Sequence, residues 1–134
     1  MGEECTFCRI VAGEKDEHVV YDGHDVVAFL DRNPAVEGHT LIVPRPHRTH
    51  LLTDDDPIAV FGAIRTVASA LDRVLDPDGF STFYTTGPLV GDVEHGHVHL
   101  LPRYEGDDVD LMLSRERLDD EDAERLAERV RSEW

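Results

Sequence analysis

The sequence predicts an α+β fold, with an antiparallel sheet of about five strands, one long central helix and a C-terminal helix. Short apolar runs separated by hairpin-length loops indicate the strands. A single long stretch with apolar residues every three or four positions indicates the central helix. The length of 134 residues, of which 40% are hydrophobic, suits one compact core.

Five apolar segments are the predicted strands. The turn-like stretch Asp22-Gly23-His24 separates the first two, which are therefore expected to form a hairpin. Pro44 and Pro102 are expected to end the third and the fifth. The segments are Val19–Tyr21, Val26–Leu30, Thr40–Val43, Phe80–Tyr84 and His95–Leu101.

Two helices follow from periodicity and capping residues. The first is expected to be capped by Asp56, with Pro57 in its first turn. The C-terminal helix is predicted from Glu121 toward Trp134. The apolar stripe of the first helix consists of Ile58, Phe61, Ile64, Val67, Ala68, Leu71 and Leu75.

The charge balance excludes several classes of partner. Asp and Glu number 29 against 13 Lys and Arg, a formal net charge of −16, and Lys15 is the only lysine. A field of this sign opposes capture of nucleic acid or of an anionic membrane. No apolar run approaches the ~20 residues of a membrane span, and the acidic N-terminus is unlike a signal peptide, so a cytoplasmic location is expected. An acidic, lysine-poor composition resembles that of proteins from halophiles.

Three histidines alternate in His95-Gly96-His97-Val98-His99. On a strand this spacing places all three side chains on one face, while Val98 points to the other. Three imidazoles fill a core poorly, because each ring carries two nitrogens that need partners. The group could bind a metal, activate a nucleophile or act as the nucleophile.

The motif and four other segments together resemble the histidine triad (HIT) family of nucleotide-binding proteins, whose signature is His-x-His-x-His followed by two apolar residues. The resemblance covers residues 4–106 and leaves residues 107–134 as an acidic C-terminal extension with a helix. The other segments are Cys5–Ile10 with Gly13-Glu14, Ala28–Pro34, Gly38–Pro44 and Leu100–Tyr104.

The resemblance implies a HIT-like fold and a reaction. His97 would attack the α-phosphorus of a purine nucleotide or nucleoside phosphoramidate and form a nucleotidyl-histidine intermediate. His99 and His39 would bind phosphate oxygens and assist the leaving group, and Asp31 would accept hydrogen bonds from the ribose. The apolar slot for the base would be formed by Phe7, Ile10, Phe29 and Leu41.

The segment before the triad departs from the family pattern. Thr85 occupies the position of a phosphate-binding Asn, and a Gln is replaced by Gly91 or deleted. Asp92 and Glu94 bring carboxylates close to the triad. A non-catalytic nucleotide-binding or interaction protein is therefore the alternative function. Nucleotidyltransferase relatives carry Gln where this chain has His99, which favours a hydrolase.

Cys5 and Cys8 form a Cys-x-x-Cys pair, which alone indicates a metal half-site or a redox pair. Several members of the family pair such cysteines with two histidines. The resemblance therefore implies a structural Cys2His2 zinc site formed by Cys5, Cys8, His47 and His95, with two buried thiols without metal as the alternative.

Two further expectations concern function and assembly. A metal-dependent β-barrel enzyme resembling the cupins, with His97, His99 and Glu105 as ligands, is disfavoured because the strands are too few and Pro102 interrupts the run. The resemblance also implies a homodimer with the long helix and a sheet edge at its interface.

Overall fold

A computed structural model describes residues 5–15, 17–47, 51, 58–85 and 95–134. Its centre is a five-stranded antiparallel sheet with the strand order β1-β2-β3-β5-β4, and the predicted α+β class is confirmed. The elements are α1 (Thr6–Val11), β1 (Val19–Asp22), β2 (Val26–Leu30), β3 (Thr40–Pro44), α2 (Ile58–Leu75), β4 (Gly79–Phe83), β5 (Val98–Arg103) and α3 (Asp120–Arg131).

The central strands β2 and β3 are apolar on both faces, because each face has its own cover. Val26, Ala28 and Ile42 pack in a cluster with α2. Their alternate neighbours on the two strands pack on the opposite face with Phe7 and Ile10 of α1. Because successive side chains of a strand point to opposite faces, one face of the sheet is covered by α2 and the other by α1.

The long helix α2 contacts the sheet through a narrower set of residues than the apolar stripe predicted. Val60, Ala63 and Val67 are buried, whereas Ile58 is 74% and Phe61 58% exposed. The face toward the sheet is rotated from the predicted stripe, because Val60 and Ala63 fill the contact in place of Ile58 and Phe61. The predicted cap residues Asp56 and Pro57 lie outside the described residues.

Strand β5 passes through Pro102, although the sequence predicted that this proline would end it. Pairing of β3 with β5 extends only to Thr40↔Leu100, whereas pairing with β4 continues through Phe80↔Pro102. Beyond Leu100 the strand has one partner, so a proline that lacks an N–H is tolerated there.

A glycine turn leads into β3 and delivers His39 to the sheet. Gly38 has φ of +91°, and a Cβ atom on it would lie 2.7 Å from Leu75 and 2.8 Å from Pro102. A residue with a side chain would therefore be strained by the backbone conformation, and its Cβ would require Leu75 or Pro102 to shift.

Of the two terminal helices, α1 was not predicted. The predicted C-terminal helix is confirmed as α3, which begins at Asp120 and ends at Arg131. Asp119 caps α3 and accepts a hydrogen bond from the backbone N–H of Asp122, but the helix has no buried residue. Among the described residues, no helix combines the length and apolar composition needed to cross a lipid bilayer.

Candidate active site

The three histidines of the motif lie on the face of the sheet opposite α2. Only His99 belongs to β5, which begins at Val98, so the predicted strand from His95 starts too early. The shared side is nevertheless as expected. The ring of Phe7 lies 6.1 Å from that of His95 and 5.0 Å from that of His97, whereas Val98 packs in the cluster with α2.

His97 has a ring orientation that is fixed by the backbone. Its Nδ1 atom lies 2.9 Å from the carbonyl oxygen of His95. A carbonyl oxygen can only accept, so Nδ1 carries the proton and Nε2 carries the lone pair in the neutral ring. The edge of the ring packs on Phe7 with an interplanar angle of 87°. The neutral ring thus has its lone pair on Nε2, while Nδ1 is occupied by the hydrogen bond to the carbonyl oxygen of His95.

His39 and His99 form a hydrogen-bonded pair, with 2.9 Å between Nε2 of His39 and Nδ1 of His99. The backbone N–H of Ala35 donates to Nδ1 of His39 at 3.0 Å. Asp31 places a carboxylate oxygen 3.4 Å from the same Nε2 atom of His39. The ring of His99 stacks on Phe83 at 4.5 Å. The pair is therefore held from both ends.

Burial keeps both rings of the pair neutral. Desolvation lowers the pKa of His39, and the Asp31 carboxylate opposes this only in part. Desolvation, followed by the neighbouring His97 and His39, lowers the pKa of His99 to about 4. At neutral pH these two side chains are imidazoles rather than imidazolium ions.

A cavity of about 290 Å³ opens between α1, the sheet and the histidines. Its described lining includes His97, His99 and four of the six predicted nucleotide-binding residues: Phe7, Phe29, Asp31 and Leu41. Ile10 packs in the apolar cluster of α1 and β2 and is not on the cavity wall. Thr85 is exposed and is not among the described lining residues. His39 is also not among them, but its Nε2 atom is hydrogen-bonded to His99.

Several polar residues that were not predicted from the sequence also line the cavity. The side chain of Glu17 is only 8% exposed and forms an ion pair with Arg32. Both residues line the cavity, as do Lys15, Thr6 and Asn33. The available signal was that a chain with 29 acidic residues keeps one lysine, Lys15, seven positions after the Cys-x-x-Cys pair.

A second cluster joins the Cys-x-x-Cys segment to the triad. Nδ1 of His95 lies 3.5 Å from the sulfur of Cys5 and 3.4 Å from that of Cys8. Nδ1 of His47 lies 3.2 Å from the sulfur of Cys8. Tetrahedral zinc with bonds of about 2.0–2.3 Å separates its ligand atoms by roughly 3.3–3.8 Å. The four side chains named from the sequence therefore form a group that could hold a metal ion.

The environment of His95 suits a metal ligand. Its Nε2 atom lies 2.8 Å from the carbonyl oxygen of Pro44, so Nε2 carries the proton and the lone pair of Nδ1 faces the two sulfurs. Burial lowers the pKa of His95, and burial together with Cys5 raises the pKa of Cys8 to about 11. Without a metal the thiol of Cys8 keeps its proton, and a metal ion would displace it.

A larger apolar groove of about 370 Å³ lies elsewhere, between β1 and the C-terminal half of α2. Among its described lining residues, Glu37 and Tyr21 alone carry titratable side chains. The chemistry is therefore concentrated in the smaller cavity. Three residues that precede the triad and were singled out from the sequence lie outside the described residues: Gly91, Asp92 and Glu94.

Comparison with known proteins identifies the family to which this chain belongs. The HIT domain family matches residues 12–106. The HIT-like protein MJ0866 of Methanocaldococcus jannaschii is 40% identical over 106 residues, which cover 77% of this chain and 81% of that protein. The crystal structure of SMU.412c from Streptococcus mutans superposes with a TM-score of 0.89 at 34% identity and covers 97% of this chain and 85% of that one.

Two further similar proteins carry a ligand or an activity in their names. A Zn-bound histidine triad family protein from Mycobacterium smegmatis has a TM-score of 0.71 at 28% identity, with both chains fully covered. Adenylylsulfatase HINT3 of Arabidopsis thaliana is 31% identical over 109 residues, which cover 78% of this chain and 54% of that protein. With the family match spanning residues 12–106, this chain belongs to the HIT domain family of nucleotide-binding proteins.

Proposed function

We propose that this protein is a nucleotide-binding hydrolase that cleaves a phosphoramidate or phosphoanhydride bond at the α-phosphate of a nucleotide. The observation that carries the proposal is the bond between Nδ1 of His97 and the carbonyl oxygen of His95. In the neutral form of the ring, which lines the cavity, this bond leaves the lone pair on Nε2 of His97. An oriented neutral imidazole is the nucleophile that such a reaction needs.

The reaction has two displacements at phosphorus. In the first, the Nε2 lone pair of His97 forms a bond to the α-phosphorus as the bond to the leaving group breaks. In the second, water forms the new bond to phosphorus and the bond to His97 breaks. The leaving group takes a proton from solvent as it departs in the first step. The attacking water returns one proton to solvent in the second step and its hydroxyl stays on the nucleoside monophosphate, so one water is consumed overall. The neutral His99 donates a hydrogen bond to a phosphoryl oxygen in both steps.

The cavity supplies a place for the nucleoside. Phe7, Phe29 and Leu41 offer an apolar slot for a base, and Asp31 offers carboxylate oxygens to the ribose hydroxyls. Asp31 already accepts from the backbone N–H of Asn33 at 2.9 Å, which fixes its orientation. The net charge of −16 opposes broad capture of a polyanion, but it does not prevent binding of one small nucleotide in a lined pocket.

The cluster of Cys5, Cys8, His47 and His95 would hold zinc as a structural ion. Bound there, zinc supplies a closed four-ligand cross-link and no reactive position. A zinc ion held there would tie α1, which contributes Phe7 to the cavity, to the segment that carries His97. The Zn-bound relative from Mycobacterium smegmatis supports this choice of metal.

The direct test is turnover of an adenosine 5′-phosphoramidate and of a dinucleoside polyphosphate by the native protein and by His97→Ala. The native protein should release a nucleoside monophosphate, and the variant should be at least about a thousandfold slower, because a group that forms the covalent bond is removed. Equal turnover by both proteins would contradict the assignment. His24→Ala is the matched control, since the His24 side chain is 97% exposed.

The second candidate is a nucleotide-binding protein without turnover, favoured by Thr85 at the position of the phosphate-binding Asn. Equilibrium titration with a nucleoside monophosphate separates the two candidates when turnover is absent. Binding without turnover in the native protein would establish this alternative.

Assembly, salt requirement and location are part of the proposal. The exposed Ile58 and Phe61 on α2 and the edge strand β4 favour a homodimer, which sedimentation analysis would test. The acidic, lysine-poor composition favours a protein that is adapted to high salt. The proposed location is the cytoplasm. Unchanged stability and full activity in salt-free buffer would contradict the salt adaptation.

A further inference from the structure

Among the residues that the structure describes, two clusters bring metal-binding side chains together, and the hydrogen bonds of their histidines have opposite directions. The first consists of Cys5, Cys8, His47 and His95, and the second of Asp31, His39 and His99. In each cluster the potential ligand atoms lie within 4.8 Å of one another. Distance alone therefore does not distinguish the two clusters. They differ in the contact made by the far nitrogen of a buried histidine, which is the ring nitrogen that points away from the other members of its cluster.

The far nitrogen of His95 faces an acceptor, whereas that of His39 faces a donor. Nε2 of His95 contacts the carbonyl oxygen of Pro44 at 2.8 Å, so this nitrogen carries the proton and Nδ1 is free to bind a cation. Nδ1 of His39 accepts the backbone N–H of Ala35 at 3.0 Å, so in the neutral ring the proton sits on Nε2. That proton lies on the atom that a metal ion would need.

We propose that the backbone amide of Ala35 fixes the protonation of His39, and through it of His99, so that this pair is a hydrogen-bond donor and not a metal site. The Nε2–H of His39 donates to Nδ1 of His99 at 2.9 Å. The remaining proton of His99 is then on its own Nε2. The backbone N–H of Ala35 therefore sets the donor-to-acceptor direction of both hydrogen bonds, from Ala35 to His39 and from His39 to His99.

The electrostatics agree with this direction. Burial lowers the pKa of both rings, so neither takes the second proton that would erase the direction. A buried neutral imidazole donates a hydrogen bond to a phosphoryl oxygen without giving up its proton. For a divalent ion to bind Nε2 of His39, the proton would have to move to Nδ1, where two donors would face each other across 3.0 Å.

The protonation of His39 follows from its hydrogen bonds and its burial, and only the consequence for turnover rests on the proposed function. The first measurement uses the native protein, with long-range proton–nitrogen correlation spectra of the histidine rings at neutral pH. They should show an unprotonated Nδ1 and a protonated Nε2 on His39, and the same on His99. A proton on Nδ1 of His39 would overturn the proposal, with no substrate or variant needed.

The second measurement compares Ala35→Pro, which lacks the amide N–H, with Ala35→Gly, which keeps it. The Ala35 side chain is exposed, so neither change disturbs the core. Equilibrium dialysis against Zn²⁺ should give Ala35→Pro one more bound equivalent than the native protein, and Ala35→Gly the native number. An unchanged number in a folded Ala35→Pro with the native His39 protonation would refute the proposal. If that variant does not fold, the native spectra decide.

The effect on turnover is a separate readout. Loss of an oriented donor to a charged oxygen lowers kcat roughly tenfold, so Ala35→Pro should be slower by about this factor in metal-free buffer. If no protein form turns substrate over, the proposed function fails while the spectra and the dialysis still test the Ala35 claim. If the native enzyme is active and Ala35→Pro has native kcat, His99 does not depend on the amide, which contradicts the proposal.

Discussion

His95 donates a hydrogen bond from Nε2 to the carbonyl oxygen of Pro44, across 2.8 Å. This bond ties the residue that opens the triad to the end of β3 and turns Nδ1 toward the sulfurs of Cys5 and Cys8. The carbonyl of His95 in turn accepts from Nδ1 of His97 at 2.9 Å. One residue therefore joins the candidate metal cluster to the candidate nucleophile.

Replacing Cys8 by Ser should reduce bound zinc to less than half an equivalent, because a thiolate ligand is lost. The variant should also lose on the order of 3 kcal/mol of stability when free zinc is about a hundredfold above its dissociation constant for the native protein. Metal analysis of protein purified without a His-tag, combined with urea unfolding, measures both. His24→Ala should leave both values unchanged, and a full equivalent of zinc in Cys8→Ser would contradict the four-ligand site.

Replacing Asp31 by Asn should weaken binding of a ribonucleotide roughly five- to tenfold, because charge-assisted hydrogen bonds from the ribose are lost. The same change should alter binding of the 2′,3′-dideoxynucleotide much less, since that sugar makes no such bonds. Calorimetric titration of both proteins with both ligands forms a cycle that isolates the sugar contact. An equal loss for the two ligands would show that Asp31 does not bind the ribose.

Acidification from pH 7 to pH 5 should destabilise the fold. The pKa of His99 is lowered to about 4, so below pH 6.5 the unfolded chain binds a proton that the folded chain does not, and stability rises with pH in this window. The slope should be on the order of 1 kcal/mol per pH unit for each such histidine. Urea unfolding of the native protein and of His99→Asn tests this. A slope that is identical in the variant would contradict the assignment to His99.

Replacing Lys15 by Met should weaken nucleotide binding a few-fold at low salt, with a smaller effect at high salt. Lys15 lies on the cavity wall of a chain with a net charge of −16, so it is a local cation for an anionic ligand. Arg9→Met is the control, since Arg9 is exposed on α1 and absent from the described cavity wall. An equal effect of both variants would assign the change to net charge instead of position.

Much of the fold could be predicted because its signals are local. The hairpin of β1 and β2, the strand after Gly38 and the long helix each follow from apolar spacing and turn residues. The positions of Pro102 and Phe61 could not, because they depend on which strands and side chains become neighbours in the fold. Pro102 fits β5 only because β3 ends beside Leu100, and Phe61 is exposed because Val60 and Ala63 face the sheet.

Some residues of the candidate site could be predicted from the sequence, whereas its hydrogen bonds could not. The alternation of the histidines indicated one shared side, and the cysteines with His47 and His95 do lie together. The sequence does not reveal the roles of the Ala35 amide N–H and the Pro44 carbonyl. Every residue except proline has a backbone N–H, and every residue has a backbone carbonyl, so residue type does not mark either contact. Their effects on His39 and His95 appear only once the backbone is in place.

The central claim is that Nε2 of His97 is the nucleophile, and a trapped intermediate tests it most directly. The enzyme would be mixed with an adenosine 5′-phosphoramidate and quenched before the second displacement is complete. Mass spectrometry of the alkali-quenched protein should show the added mass of one nucleotidyl group, on the peptide containing His97, that is absent from His97→Ala. Turnover by the native enzyme with no adduct at any quench time, or with the adduct on another residue, would contradict the account.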